Sequence, residues 1–243
     1  MHHRTTNNHL LLGSAGLAAS RLLAGAAIKG SISDEFERSI VVALARQPLS
    51  AVDIAASGKL KFVLASTVLD YDPRLGECRP LGWPSGSTWA EAEGFYCLAL
   101  GHVVITEWSK SGEKWQKSKR VLGCLVHEFA HGLDEALGWF SLSPEFIAAY
   151  LKDVAKFIRN PEICHRLAYY LQGFSLDSNL RGSDLEGVDS ASQEQHWAHG
   201  LQEAFAEVYA CMHGQGTNPE DRALILSRFP NVAFCIRERL KRI

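Results

Sequence analysis

The stretch from Val121 to Phe140, VLGCLVHEFAHGLDEALGWF, constrains this chain more than any other. It holds His127-Glu128-Phe129-Ala130-His131, an HExxH pattern. On an α-helix, residues four apart stand about 40° apart around the axis and roughly one turn along it. His127 and His131 therefore project side by side, with Glu128 within about 100° of both. Two imidazoles on one helix face can hold a zinc ion, and the neighbouring carboxylate can take a proton from a water that the metal activates. Val121, Leu122, Leu125 and Val126 precede the motif, Leu133, Ala136 and Leu137 follow it, and Gly138 offers a stop. A helix apolar nearly all round belongs inside, where polar side chains need partners. A surface helix carrying HExxH incidentally fits this context poorly.

Two histidines and a water leave a tetrahedral site one protein ligand short. A second helix, spanning about His199 to His213 (HGLQEAFAEVYACMH), offers it. Leu201, Ala204, Phe205, Val208 and Met212 form one broad face. Glu203 and Glu207 share the other side with Ala206, Ala210 and Cys211. Buried acids are rarely left unpaired. One of the two glutamates can bind metal while the other accepts the free ring N–H of a ligand histidine. Spacing alone does not say which, and a pair of surface glutamates solvating the helix is the plain alternative.

Around these helices the pattern predicts an α+β domain. Helices are expected over Asp34–Ala45, with Ser33 as cap, and over Ser50–Ser57, ended by Gly58. Strands are expected over Lys59–Ser66, around Gly94–Leu100 and around His102–Trp108, the last two as a hairpin beside the HExxH helix. Asp70 to Trp89 is rich in turn residues, Gly82 and Pro84 among them, and Ser109–Lys119 reads as a polar loop. Ser143-Pro144 and Asn160-Pro161 open helices over about Pro144–Ile158 and Pro161–Leu171. Gly173 to Gln195 reads as a long loop. Residues 1–32 read as a leader or tail and 33–243 as the domain. The basic start and short apolar run of residues 1–30 suit an exported protein, with an ordinary N-terminal helix and a cytoplasmic location as the alternative.

A formal net charge of −2 points away from a nucleic-acid partner; Arg237, Arg239, Lys241 and Arg242 read as a solvated helix end. No apolar run is long enough for a membrane span. The six cysteines form no CxxC, and no disulfide framework follows from them. Oligomeric state is not marked.

HEFAHGLD (residues 127–134) followed by QEAFAEVYACMHG (residues 202–214) resembles the catalytic domain of anthrax lethal factor and its small bacterial relatives. It is also similar to the Mlc-titration-factor peptidases. RPLGWPSGSTWAEAEGFY (residues 79–96) resembles the Gly-Trp and Thr-Trp segment of the lethal-factor-like domains, and the likeness runs over roughly residues 35–243. It implies a mostly helical zincin-like domain and a gluzincin-type zinc endopeptidase acting on a protein or peptide substrate. In that frame His127, His131 and Glu203 match the metal ligands and Glu128 the general base. Glu207 matches the outer carboxylate, and Asp134 the motif's trailing acid.

One departure stands out. Where these families place an oxyanion-stabilising tyrosine ahead of the ligand glutamate, this chain has His196. Either an insertion has moved the tyrosine to Tyr169 or Tyr170, with Tyr170 the first choice, or His196 or His199 donates the hydrogen bond instead. A catalytically silent metal-binding or interaction module on the same scaffold is the competing reading.

Overall fold

The computed structural model describes residues 14–80, 83, 85–171, 190–218 and 220–242, with the backbone alone for residues 190–196. Expectations that fall on residues 1–13, Gly82, Pro84, residues 172–189 and the side chain of His196 lie outside this set.

Local chemistry sets the first elements. Ser33 caps α2 (Asp34–Ala45) by accepting the Phe36 N–H, and Asp34, Glu35 and Glu37 sit in the first turn, where the helix dipole favours acids. Phe36, Ile40, Ala43 and Leu44 follow helical spacing and form its buried face. α1 (Ser14–Leu23) packs on α2 and on α3 (Leu49–Ser57), burying Ala19 and Leu22. Residues 14–29, read from sequence as leader or tail, thus supply a packed helix and an edge strand, β1 (Ala27–Lys29).

β1 pairs in parallel with β2 (Lys61–Ala65), which pairs in parallel with β4 (His102–Thr106). β3 (Gly94–Cys97) closes the sheet antiparallel to β4, giving the order β1-β2-β4-β3. The expected hairpin is present, shorter than its apolar letters suggested. Phe62 to Ala65 and Val103 to Thr106 are buried without alternation, as expected of strands covered on both faces.

α5 (Val121–Ala136) lies against β3, β4, α2 and α3, and α8 (Ser190–Met212) packs along it. Two glycines permit these approaches. A Cβ on Gly132 would stand 2.4 Å from the Leu60 side chain, and one on Gly123 would stand 2.1 Å from the Gly216 carbonyl oxygen. α6 (Pro144–Phe157), capped by Ser143, packs on α10 (Pro230–Lys241), with α9 (Arg222–Arg228) between the helical layers. Buried Asp153 joins α6 to the start of α10 by accepting the Asn231 and Val232 N–H groups.

Three expectations need correction. Ser109–Lys119 is not a loop: β5 (Trp108–Ser111) and β6 (Lys114–Lys117) form a hairpin across Gly112-Glu113. Gly112 has a φ of 59°, as the first central residue of a II′-type turn requires. The expected helix to Leu171 stops earlier, as α7 (Pro161–Arg166), and a 3₁₀ turn over Ala168–Leu171 follows. α8 begins at Ser190, so the end of the expected loop is helical. Among the described residues, no single helix is long and apolar enough to cross a membrane. All six cysteines are free thiols.

Candidate metal centre

α5 and α8 meet where each carries its polar residues. His127, His131, Glu203 and Glu207 are all buried, within a helix pair otherwise lined by residues such as Leu125, Phe129, Ala206 and Ala210. The helical repeat sets His127 and His131 one turn apart on α5, and Glu203 and Glu207 one turn apart on α8.

His127 Nε2 lies 3.2 Å from His131 Nε2 and 3.1 Å from Glu203 Oε2. His131 Nε2 lies 3.4 Å from Glu203 Oε1. Zinc bonds of about 2.0–2.2 Å in a tetrahedron hold neighbouring ligand atoms roughly 3.3 Å apart. The spacing of these three groups therefore suits such an ion, and among the described residues they form the group whose donor atoms converge within 4.8 Å. The charge balance agrees. Glu128, Glu203 and Glu207 place three carboxylates around two imidazoles, an arrangement that calls for a cation.

On the far side of the ring, Glu207 Oε2 stands 2.8 Å from His127 Nδ1. Glu207 is itself held: Thr217 donates its backbone N–H (3.0 Å) and its hydroxyl (3.0 Å) to the carboxylate. A carboxylate there keeps the Nδ1–H tautomer and turns Nε2 toward Glu203 and His131.

Burial opposes charge on His127, but hydrogen bonds to Glu203 and Glu207 outweigh it and hold the imidazolium well above the usual histidine range. Burial likewise opposes charge on Glu203, yet His131 and His127 hold its carboxyl well below the usual range. Glu207 is lowered against burial by His127 and Thr217. Glu128 goes the other way. Burial raises it, despite the pull of both histidines.

The group opens on a cleft of about 460 Å³ between β3, α5 and α8. Glu128 faces it, as do Tyr96, Trp89, Trp139, Tyr169 and Tyr170. The two tyrosines differ in their neighbours. Tyr169 is shifted upward by burial and by the charges of Glu203 and Glu128. Tyr170 is raised by burial first and by the charge of Glu207 next. His199 also lines the cleft, with Nδ1 3.6 Å from Glu203 Oε1. Asp134 lies apart from these groups, buried, and accepts the Ser141 N–H at 2.8 Å and the Ser141 hydroxyl.

Thr217 was not readable from sequence, because it follows α8 in a Gly-Gln-Gly-Thr-Asn turn and reaches Glu207 only through the tertiary fold. Tyr96 was visible only as a strand residue. Its ring stacks on His131, with centroids 6.2 Å apart, and its hydroxyl donates to Glu135.

No family model and no curated protein matches the chain. Among solved structures, that of a PRO-PRO endopeptidase from Paenibacillus alvei is similar, with a TM-score of 0.53 and 19% identity, covering 90% of this chain and 98% of that one. This likeness establishes the fold, the mostly helical α+β arrangement expected from sequence.

Proposed function

We propose that the chain is a zinc-dependent endopeptidase of the gluzincin type. The observation that carries this reading is the convergence of two imidazole Nε2 atoms and the Glu203 carboxylate beside Glu128, at the floor of an open cleft. The similar fold of an endopeptidase supports it. HEFAHGLD and QEAFAEVYACMHG remain the basis for kinship with the lethal-factor-like and Mlc-titration-factor peptidases.

His127, His131 and Glu203 would hold the ion. Zinc there supplies Lewis-acid activation of water and of the scissile carbonyl. Glu128 accepts the proton of the attacking water and delivers it to the leaving amine. Glu207, steadied by Thr217, keeps His127 in the tautomer a ligand needs. Tyr169 is the better placed of the two tyrosines to donate to the developing oxyanion, because it lines the cleft where the charges of Glu203 and Glu128 both act on it; Tyr170 is the alternative. An extended peptide could add to the sheet beyond β3, its edge strand on the cleft side.

Glu128→Gln keeps the shape and removes the base. Proteolysis of a peptide mixture by the zinc-loaded protein should fall by about 10²–10⁴-fold in this variant, with zinc content unchanged. Equal activity in the two proteins, or none in either, would refute the reading; the second result is what a silent module gives.

A further inference from the structure

The corner after α5 is built around Asp134. Its backbone carbonyl accepts the Trp139 N–H at 2.8 Å. Its carboxylate accepts the N–H and hydroxyl of Ser141. Trp139 and Ser141 are thereby both tied to one buried acid.

The tie has a conformational consequence. Trp139 sits at φ 59°, ψ 56°, in the left-handed region. Gly138 before it is also at positive φ, where glycine is at ease. A bulky side chain at positive φ is an outlier that persists only when its surroundings over-determine it. Gly or Asn would fit this backbone with less strain, yet the position carries the largest side chain of all.

The indole has a use in view. Trp139 lines the cleft, three positions before Leu142 and one turn beyond Glu135. Across from α5, Tyr96 and Leu98 alternate along β3 and its continuation, and both line the same cleft. Leu98 is 59% exposed. The Tyr96 hydroxyl bonds to Glu135, which brings this part of β3 to the C-terminal end of α5. The lining also includes Glu93 and Arg120, with Trp83, Trp89 and Phe95 as further apolar groups.

We propose that Trp139 is a specificity-determining residue, forming with Leu98 and Tyr96 a subsite for a bulky apolar side chain flanking the scissile bond. Asp134 is the positioning residue that holds the indole there. This deepens the peptidase reading and rests on it.

The test is cleavage-site profiling with a peptide library randomised around the cut, using the zinc-loaded full chain. Wild type should prefer bulky apolar residues at one flanking position. Trp139→Ala should reduce that preference, measured as a ratio of kcat/KM values against small residues, by about tenfold or more. Trp139→Phe should restore part of it. Asp134→Asn should weaken it chiefly through KM. Structural damage alone would lower all rates together and leave the ratio unmoved. An unchanged ratio in Trp139→Ala would overturn the subsite while leaving the peptidase reading intact. Absence of any cleavage by wild type would overturn both.

Discussion

At the scale of single residues, the site is defined by which acid is paired with what. Glu203 and Glu207 both stand on α8, one turn apart, yet they divide the work by reach: one meets both Nε2 atoms, the other meets only Nδ1 of His127. Of the two tyrosines, Tyr169 is the one on which the charges of Glu203 and Glu128 both act. Tyr169→Phe should lower kcat by roughly 10²-fold with little change in KM, while Tyr170→Phe should have a smaller effect. The reverse order in steady-state kinetics would return the role to Tyr170. Asp134 offers a separate check. Burial raises its carboxyl from 3.8 to about 6, against the hydrogen bonds from Ser141. Between those values the folded chain binds more protons than the unfolded one, so this group's contribution to stability falls as pH rises and levels off above about 6. Asp134→Asn removes that dependence. In metal-free protein, urea denaturation should show the variant gaining on wild type by about 2 kcal/mol between pH 4.5 and 7.5. A constant difference would show that Asp134 does not titrate in this range.

At the scale of elements, the centre depends on how closely α5 approaches the turn after α8. Gly123 permits that approach, since an added Cβ would collide with the Gly216 carbonyl at 2.1 Å. The next residue, Thr217, holds Glu207, and Glu207 holds His127. Gly123→Ala should therefore weaken zinc binding by about 10–100-fold, besides destabilising the fold by roughly 1–3 kcal/mol. Gly132→Ala meets only the Leu60 side chain, away from that turn, and should reduce stability without a comparable change in affinity. Competition with a chromophoric chelator separates the two, and equal affinities in wild type and Gly123→Ala would break the proposed chain of support. The same elements show what could be read from the letters. The HExxH and Glu helices announced themselves because a helical repeat brings their polar residues to one face within a few positions of sequence. β5 and β6 did not, because SKSGEKWQKSK is polar on both faces and lacks the alternation of a half-buried strand. The Gly112 turn was the signal available. α8 was read too short because its first turns, SASQEQH, carry no apolar stripe.

At the scale of the whole molecule, a parallel three-strand core with one antiparallel edge is covered by α5, and α5 is clamped in turn by α8. This arrangement brings residues about 75 positions apart, such as His127 and Glu203, into contact. Fold class was legible from periodicity, but the partnership of Thr217, Tyr96 and Trp139 with the site was not, because those contacts arise from how layers stack. In the N-terminal stretch, Ala19 and Leu22 are buried and β1 extends the sheet. The central claim is that three side chains from α5 and α8 hold one cation. Zinc titration of the metal-stripped chain, beside Glu203→Ala and Glu128→Gln, tests it most directly. One ion per chain is expected for wild type and for Glu128→Gln, with binding weakened by at least about 100-fold in Glu203→Ala, since that removes a direct ligand rather than a supporting group. Zinc binding that is absent from wild type, or that survives unchanged in Glu203→Ala, would contradict it.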